Sequence, residues 1–118
     1  CECNVSGNLF VLEKGKDGTY QRNQQGLKCC IEDVSEYGAL VRIGGKGKSR
    51  LHVSLQFELD EKPVIMYGIV RGVEYNAQLN ISRLHFECLK MNPEIKDNIL
   101  SYVYKSLTER PIYEGGIF

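Results

Sequence analysis

The sequence predicts a mainly β, antiparallel domain of six strands, a barrel or a sandwich, closed by a single C-terminal α-helix. Three observations carry that expectation. Short apolar segments recur along the chain, separated by turns rich in Gly, Asp and Asn. One of them, Leu51 to Leu59, alternates apolar and polar residues without a break, as a strand with one wet face does. Only one stretch, near the C-terminus, carries apolar residues at helical spacing instead. With 118 residues the chain has the length of one domain and enough material to bury a core.

Taken in order, residues 3–14 read as the first strand, with Val5, Leu9, Phe10, Val11 and Leu12 as its apolar positions. Lys14-Gly15-Lys16-Asp17-Gly18 makes a turn, and residues 19–26 are too polar for a core strand and read as a loop. Leu27 to Glu32 and Ala39 to Ile43 are the next two strands, and Gly44-Gly45-Lys46-Gly47 turns the chain again. In the fourth strand Leu51, Val53, Leu55, Phe57 and Leu59 alternate with His52, Ser54, Gln56 and Glu58. Pro63 opens the fifth, Val64 to Glu74, where Gly68 and Gly72 mark a bulge, a bend or a close approach. A polar loop near Asn76–Asn80 leads to the last strand, with Leu84, Phe86 and Cys88 in alternation. Six strands joined by tight turns suit a barrel or a sandwich, and closure would also hide exposed strand edges.

The helix is expected over 93–109. Asn92 is its N-cap, Pro93 fits the first turn and Glu94 complements the helix dipole. Ile95, Ile99, Tyr102, Val103 and Leu107 form one apolar face to lay on the barrel. Arg110-Pro111 ends it, because a residue before proline is pushed out of helical geometry. The domain therefore spans 1–110, followed by a tail, 111–118.

Composition excludes several function classes. Lys plus Arg is 15 and Asp plus Glu is 15, so no global field attracts a nucleic-acid polymer or a membrane. No apolar run approaches a membrane span, and no signal peptide is visible. The five cysteines, Cys1, Cys3, Cys29, Cys30 and Cys88, are odd in number and lack a CxxC pair. They read as free, structural thiols in a reducing cytoplasm, and no metal site is expected. Cys1 in place of an initiating Met reads as the start of a fragment.

Catalysis is not expected. His52 and His85 stand inside regular strands as solvated-face residues, so no catalytic residue is assigned. Gly47-Lys48-Ser49 resembles the end of a phosphate loop, but the upstream Gly is absent and a strand follows where a helix is needed. No cofactor is implied.

One segment stands apart. Glu32-Asp33-Val34-Ser35-Glu36-Tyr37-Gly38-Ala39-Leu40-Val41 runs a strand through a tight turn into a second strand. Asp33 and Ser35, two apart, point the same way, and Gly38 allows close approach of the backbone. Two readings are open on the residues alone: a polar pair facing a ligand, or a β-turn whose side chains bond nearby amides.

The segment resembles the second signature of PilZ domains, Asp-x-Ser-x-x-Gly at Asp33, Ser35 and Gly38 with apolar residues after the Gly. The order of the remaining elements is similar too. Val64 to Val73 matches the family's fifth strand, Ser82 to Cys88 its last, and the helix from Asn92-Pro93-Glu94 its C-terminal element. The resemblance spans about residues 3 to 110. It implies a six-stranded barrel that binds the bacterial second messenger cyclic di-GMP, with Asp33, Ser35 and Gly38 around a guanine. The family's first signature, Arg-x-x-x-Arg ahead of the first strand, is absent from these 118 residues. By alignment it would fall just before Cys1.

The expected function is a cytoplasmic, bacterial cyclic di-GMP sensor or effector that passes ligand binding to a protein partner or to an N-terminal domain of the same chain. The alternative is a degenerate PilZ-like interaction module that binds no nucleotide. An oligonucleotide-binding barrel ranks behind both, given the balanced charge and the lack of clustered aromatic and basic residues.

Overall fold

The computed structural model describes residues 1–22 and 26–108, with the side chains of 20–22 excepted. Seven strands and one helix follow one another along the chain: β1 (Glu2–Lys14), β2 (Tyr20–Arg22), β3 (Leu27–Ser35), β4 (Gly38–Gly44), β5 (His52–Leu59), β6 (Lys62–Asn76), β7 (Ile81–Lys90) and α1 (Pro93–Thr108). Every pairing is antiparallel. Six strands form a closed ring in the order β1-β3-β4-β7-β6-β5, with β5 returning to β1. Of the barrel and the sandwich that the strand pattern left open, this is the six-stranded barrel that the PilZ resemblance implies, with the single C-terminal helix expected from periodicity.

β1 closes the ring by serving three partners along its length. Its first half pairs with β3, residues Gly7 to Val11 pair with β5, and Leu12 to Lys14 pair with β2. Here the structure departs from the sequence reading, which placed 19–26 in a loop. Tyr20–Arg22 form a short strand outside the ring. Main-chain hydrogen bonds build such an extension, so it needs none of the apolar residues by which core strands are recognised.

The barrel interior holds Ile31, Val34, Val41, Val53, Leu55, Leu59, Val64, Met66 and Val70, all fully buried. The alternating residues of β5 point inward as predicted, Val53, Leu55, Phe57 and Leu59 joining the core. The two glycines of β6 mark bulges: pairing with β7 slips at Tyr67/Gly68 and again at Val70/Gly72. A Cβ on Gly68 would drive into the Glu87 carbonyl, so only glycine fits there. The β5–β6 hairpin turns on Asp60 and Glu61, both at positive φ (50° and 67°), the signature of a type I′ turn.

Asn92 caps α1: its Oδ1 accepts the Glu94 N–H at 2.9 Å. Ile99 is the helix residue buried completely, and Ile95, Tyr102 and Val103 pack around it on the core. Leu107, expected on the same face, is left 54% exposed. Polar contacts fix the helix at several places. Lys105 Nζ meets Asp60 Oδ2 at 3.2 Å, and Asn98 Nδ2 donates to the Pro63 carbonyl at 3.0 Å. Lys96 Nζ lies 3.2 Å from Glu36 Oε2 in the β3–β4 turn. The expected stop at Arg110-Pro111 and the tail 111–118 lie outside the described residues.

Candidate functional site

The β3–β4 hairpin carries the site, and its shape follows from an irregularity in β3. Ile31 and Val34 are both fully buried although they are three residues apart. A regular strand would send them to opposite faces. Pairing with β4 slips between Ile31 and Asp33, so Glu32 is the extra residue of a β-bulge. The bulge keeps both apolar residues inward and turns Glu32 and Asp33 outward together. β1 slips beside it, between Glu2 and Val5, with Asn4 at φ 49°.

Asp33, Ser35 and Gly38 come together on the outer wall. With Ala39, Leu40, His85 and Phe86 they line a shallow concavity of about 290 Å³. A second hollow of about 320 Å³ adjoins it through Asp33 and Leu40, and is also lined by Glu2, Asn4, Glu32, Glu74 and Arg83. Asp33 is 48% exposed, and its Oδ1 accepts from the Cys1 nitrogen at 2.6 Å. The same nitrogen donates to the Val34 carbonyl, and the Val34 N–H returns a bond to the Cys1 carbonyl. The start of β1 is thus fastened to the rim of the site.

Ser35 Oγ accepts the Tyr37 N–H at 3.1 Å, a local turn bond that leaves the hydroxyl proton available to donate. Gly38 has a structural role of its own. A Cβ at this position would run into the Phe86 carbonyl, so what approaches Gly38 closely is β7. The Tyr37 carbonyl also accepts the Cys88 N–H at 2.7 Å, sealing the hairpin against that strand.

Glu32, only 14% exposed, is held by two guanidiniums: Arg42 Nη1 and Arg83 Nε each lie 2.9 Å from one of its oxygens. His85 Nε2 meets Glu74 Oε2 at 2.7 Å. These neighbours were not singled out from sequence. They enter through the pairing of β4 with β7, which sets Leu40 opposite His85 and Arg42 opposite Arg83. Only the alternation of β7, which puts Arg83, His85 and Glu87 on one face, hinted at them.

The wall can accept hydrogen bonds through Asp33 and donate or accept through Ser35. Its carboxylates, Glu2, Glu32, Asp33 and Glu74, outnumber Arg83 in the adjoining hollow. His85 faces Glu74 and Ser35 engages its own turn, so the arrangement suits recognition of a ligand's N–H groups rather than nucleophilic attack.

Closed barrel, external polar hairpin and packed C-terminal helix together are a PilZ-like fold. The model of the PilZ domain matches residues 14–105, and the chain belongs to that family of cyclic di-GMP-binding domains, which are binding and effector modules rather than catalysts. No curated protein matches the sequence. Among the described residues, no helix is long and apolar enough to cross a membrane.

Proposed function

We propose that this domain is a cyclic di-GMP sensor whose guanine contacts are Asp33, Ser35 and the backbone at Gly38. The observation that supports this reading is that Asp33 lines two adjoining hollows, one shared with Ser35 and Gly38 and the other with the start of β1. Guanine presents N–H donors, which the Asp33 carboxylate is placed to accept, and Ser35 retains a proton to give. Residues joined ahead of Cys1 would leave from beside Asp33, 2.6 Å from its carboxylate. There an Arg-x-x-x-Arg pair would supply the phosphate and guanine O6/N7 contacts that the acidic wall lacks. Folding such an arm over the hollow would alter the Glu36 turn and, through Lys96, the first turns of α1. Output to a partner or a preceding domain would follow from that movement, in a bacterial cytoplasm.

The interaction-module reading has its own support: Ser35 already accepts a local turn N–H, and Asp33 already accepts from the Cys1 nitrogen on the neighbouring strand. Mutants separate the two. Ser35→Ala should change fold stability by less than about 1 kcal/mol, since the Tyr37 N–H it releases belongs to a residue 74% exposed and reaches water. In protein carrying an Arg-x-x-x-Arg segment ahead of Cys1, the same change should weaken cyclic di-GMP binding several-fold to tenfold. Asp33→Ala should cost more, its bond being charge-assisted. Paired denaturant and ligand titrations decide. Mutants that lose stability while binding is unchanged would leave only the turn.

A further inference from the structure

Away from the signature hairpin, a groove of about 420 Å³ lies across β1, β5, β6 and the end of β7, lined by Leu12, His52, Tyr67, Gly68, Leu89 and Lys90. It shares no lining residue with the Asp33 concavity. Its size falls within the range of small-molecule sites.

The groove is built by a local irregularity. Tyr67 pairs with Lys90 and Gly68 with Cys88, so Leu89 is the extra residue of a bulge in β7. Gly68 permits the bulge, because a side chain there would strike the Glu87 carbonyl and the Phe86 ring. The consequence is a leucine 53% exposed beside a tyrosine 45% exposed. Lys90 brings an ammonium and His52 an imidazole to the lining, and no carboxylate is among the six.

A second, independent feature lies on the same strand. Ser54, two residues from His52 on the outward face of β5, pairs in register with Phe10 on one side and Tyr67 on the other. It is fully buried, and its hydroxyl has no hydrogen-bond partner. An orphaned buried hydroxyl is destabilising, because it has given up its bonds to water without replacement. An anionic head drawn in beside Tyr67 would give it an acceptor.

We propose that this groove is a second binding site, which takes a small amphipathic anion. The ligand's apolar body lies on Leu12, Leu89 and the Tyr67 ring, and its carboxylate-type head sits at Lys90 and His52, toward Ser54. Site and ligand are independent of cyclic di-GMP.

The probe is octanoate, with octan-1-ol and octylammonium as neutral and cationic counterparts, titrated into ¹⁵N-labelled protein and followed by amide shifts. Octanoate should bind saturably at one site, moving Tyr67, Gly68, Leu89 and Lys90, and more tightly than either counterpart. Lys90→Glu should weaken it about tenfold. Leu89→Ser, a change at an exposed position that the fold tolerates, should weaken it several-fold. Lys46→Glu makes the same charge change at Tyr75, toward the far end of β6, and should leave octanoate binding unaltered. Unsaturable or scattered shifts, octylammonium binding as well as octanoate, or unchanged affinity in Lys90→Glu would each overturn the proposal. So would co-sedimentation with phosphatidylglycerol vesicles that Lys90→Glu abolishes, in protein that does not bind octanoate, since that assigns the groove to a membrane surface.

Discussion

At the scale of single residues, the signature positions are held by apolar neighbours and by backbone fit as much as by polar contacts. Val34, buried between Asp33 and Ser35, anchors the pair to the barrel. Gly38 illustrates how one residue of the Asp-x-Ser-x-x-Gly signature serves packing. Gly38→Ala should destabilise the domain by about 1–3 kcal/mol, because the added methyl meets a main-chain carbonyl that cannot move aside. Denaturant titration checks this, and a variant as stable as wild type would show that β7 yields. The Cys29 thiol makes a separate point. Burial pushes its pKa up to about 11 from an ordinary 9.0. At pH 8 only about one molecule in a thousand would carry the reactive thiolate. Iodoacetamide should therefore label Cys29 on the order of a hundredfold more slowly in folded than in urea-unfolded protein, by mass spectrometry of the peptides. The folded state holds the proton more tightly, so the contribution of Cys29 to stability is intact below pH 9 and declines as pH rises toward 11.

At the scale of elements, legibility followed how each element is held together. Strand β5 and helix α1 announce themselves because their periodicities, two and 3.6, are imposed by a core that they face. The bulges did not read out in full. Gly68 and Gly72 signalled irregularity in β6, but nothing at Glu32 does. Its extra residue shows only in Ile31 and Val34 being buried together, a fact about the β3–β4 pairing. That bulge sets the direction of Asp33, so the motif was readable and its surroundings, Leu40, His85 and Phe86, were not. β2 was missed because it has main-chain partners and no place in the ring. The helix permits a sharp test. Ile99 is its one fully buried residue, so Ile99→Ala should cost about 2–5 kcal/mol. Leu107→Ala, at a half-exposed position on the expected face, should cost under about 1 kcal/mol. Equal losses in thermal unfolding would mean that the helix seats along its whole apolar stripe.

At the scale of the whole molecule, balanced net charge conceals an uneven distribution, and that distribution decides what the barrel can bind by itself. Cyclic di-GMP brings two phosphate charges. The proposed site beside Asp33 would meet them with Glu2, Glu32, Asp33 and Glu74. Arg83, which lines that hollow, and Arg42 are both committed to Glu32. Releasing either would leave a largely buried carboxylate short of a partner, at an energetic cost that offsets the new phosphate contact. If cyclic di-GMP lies there as proposed, its phosphates need cations other than those lining this hollow, which is what the proposed Arg-x-x-x-Arg segment would add. Each charge-assisted bond contributes about 1.5–3 kcal/mol, so two arginines making several of them amount to a factor of a hundred or more in affinity. Residues 1–118 alone should accordingly bind cyclic di-GMP at least about a hundredfold more weakly than the same domain preceded by Arg-x-x-x-Arg. Calorimetry on both, at two ionic strengths, measures it. The extended protein should also lose affinity more steeply with salt, since its extra bonds are to phosphate. Micromolar or tighter binding by the 118 residues alone would mean that Arg42 or Arg83 leaves Glu32 for the ligand, and that the clamp is part of the barrel after all.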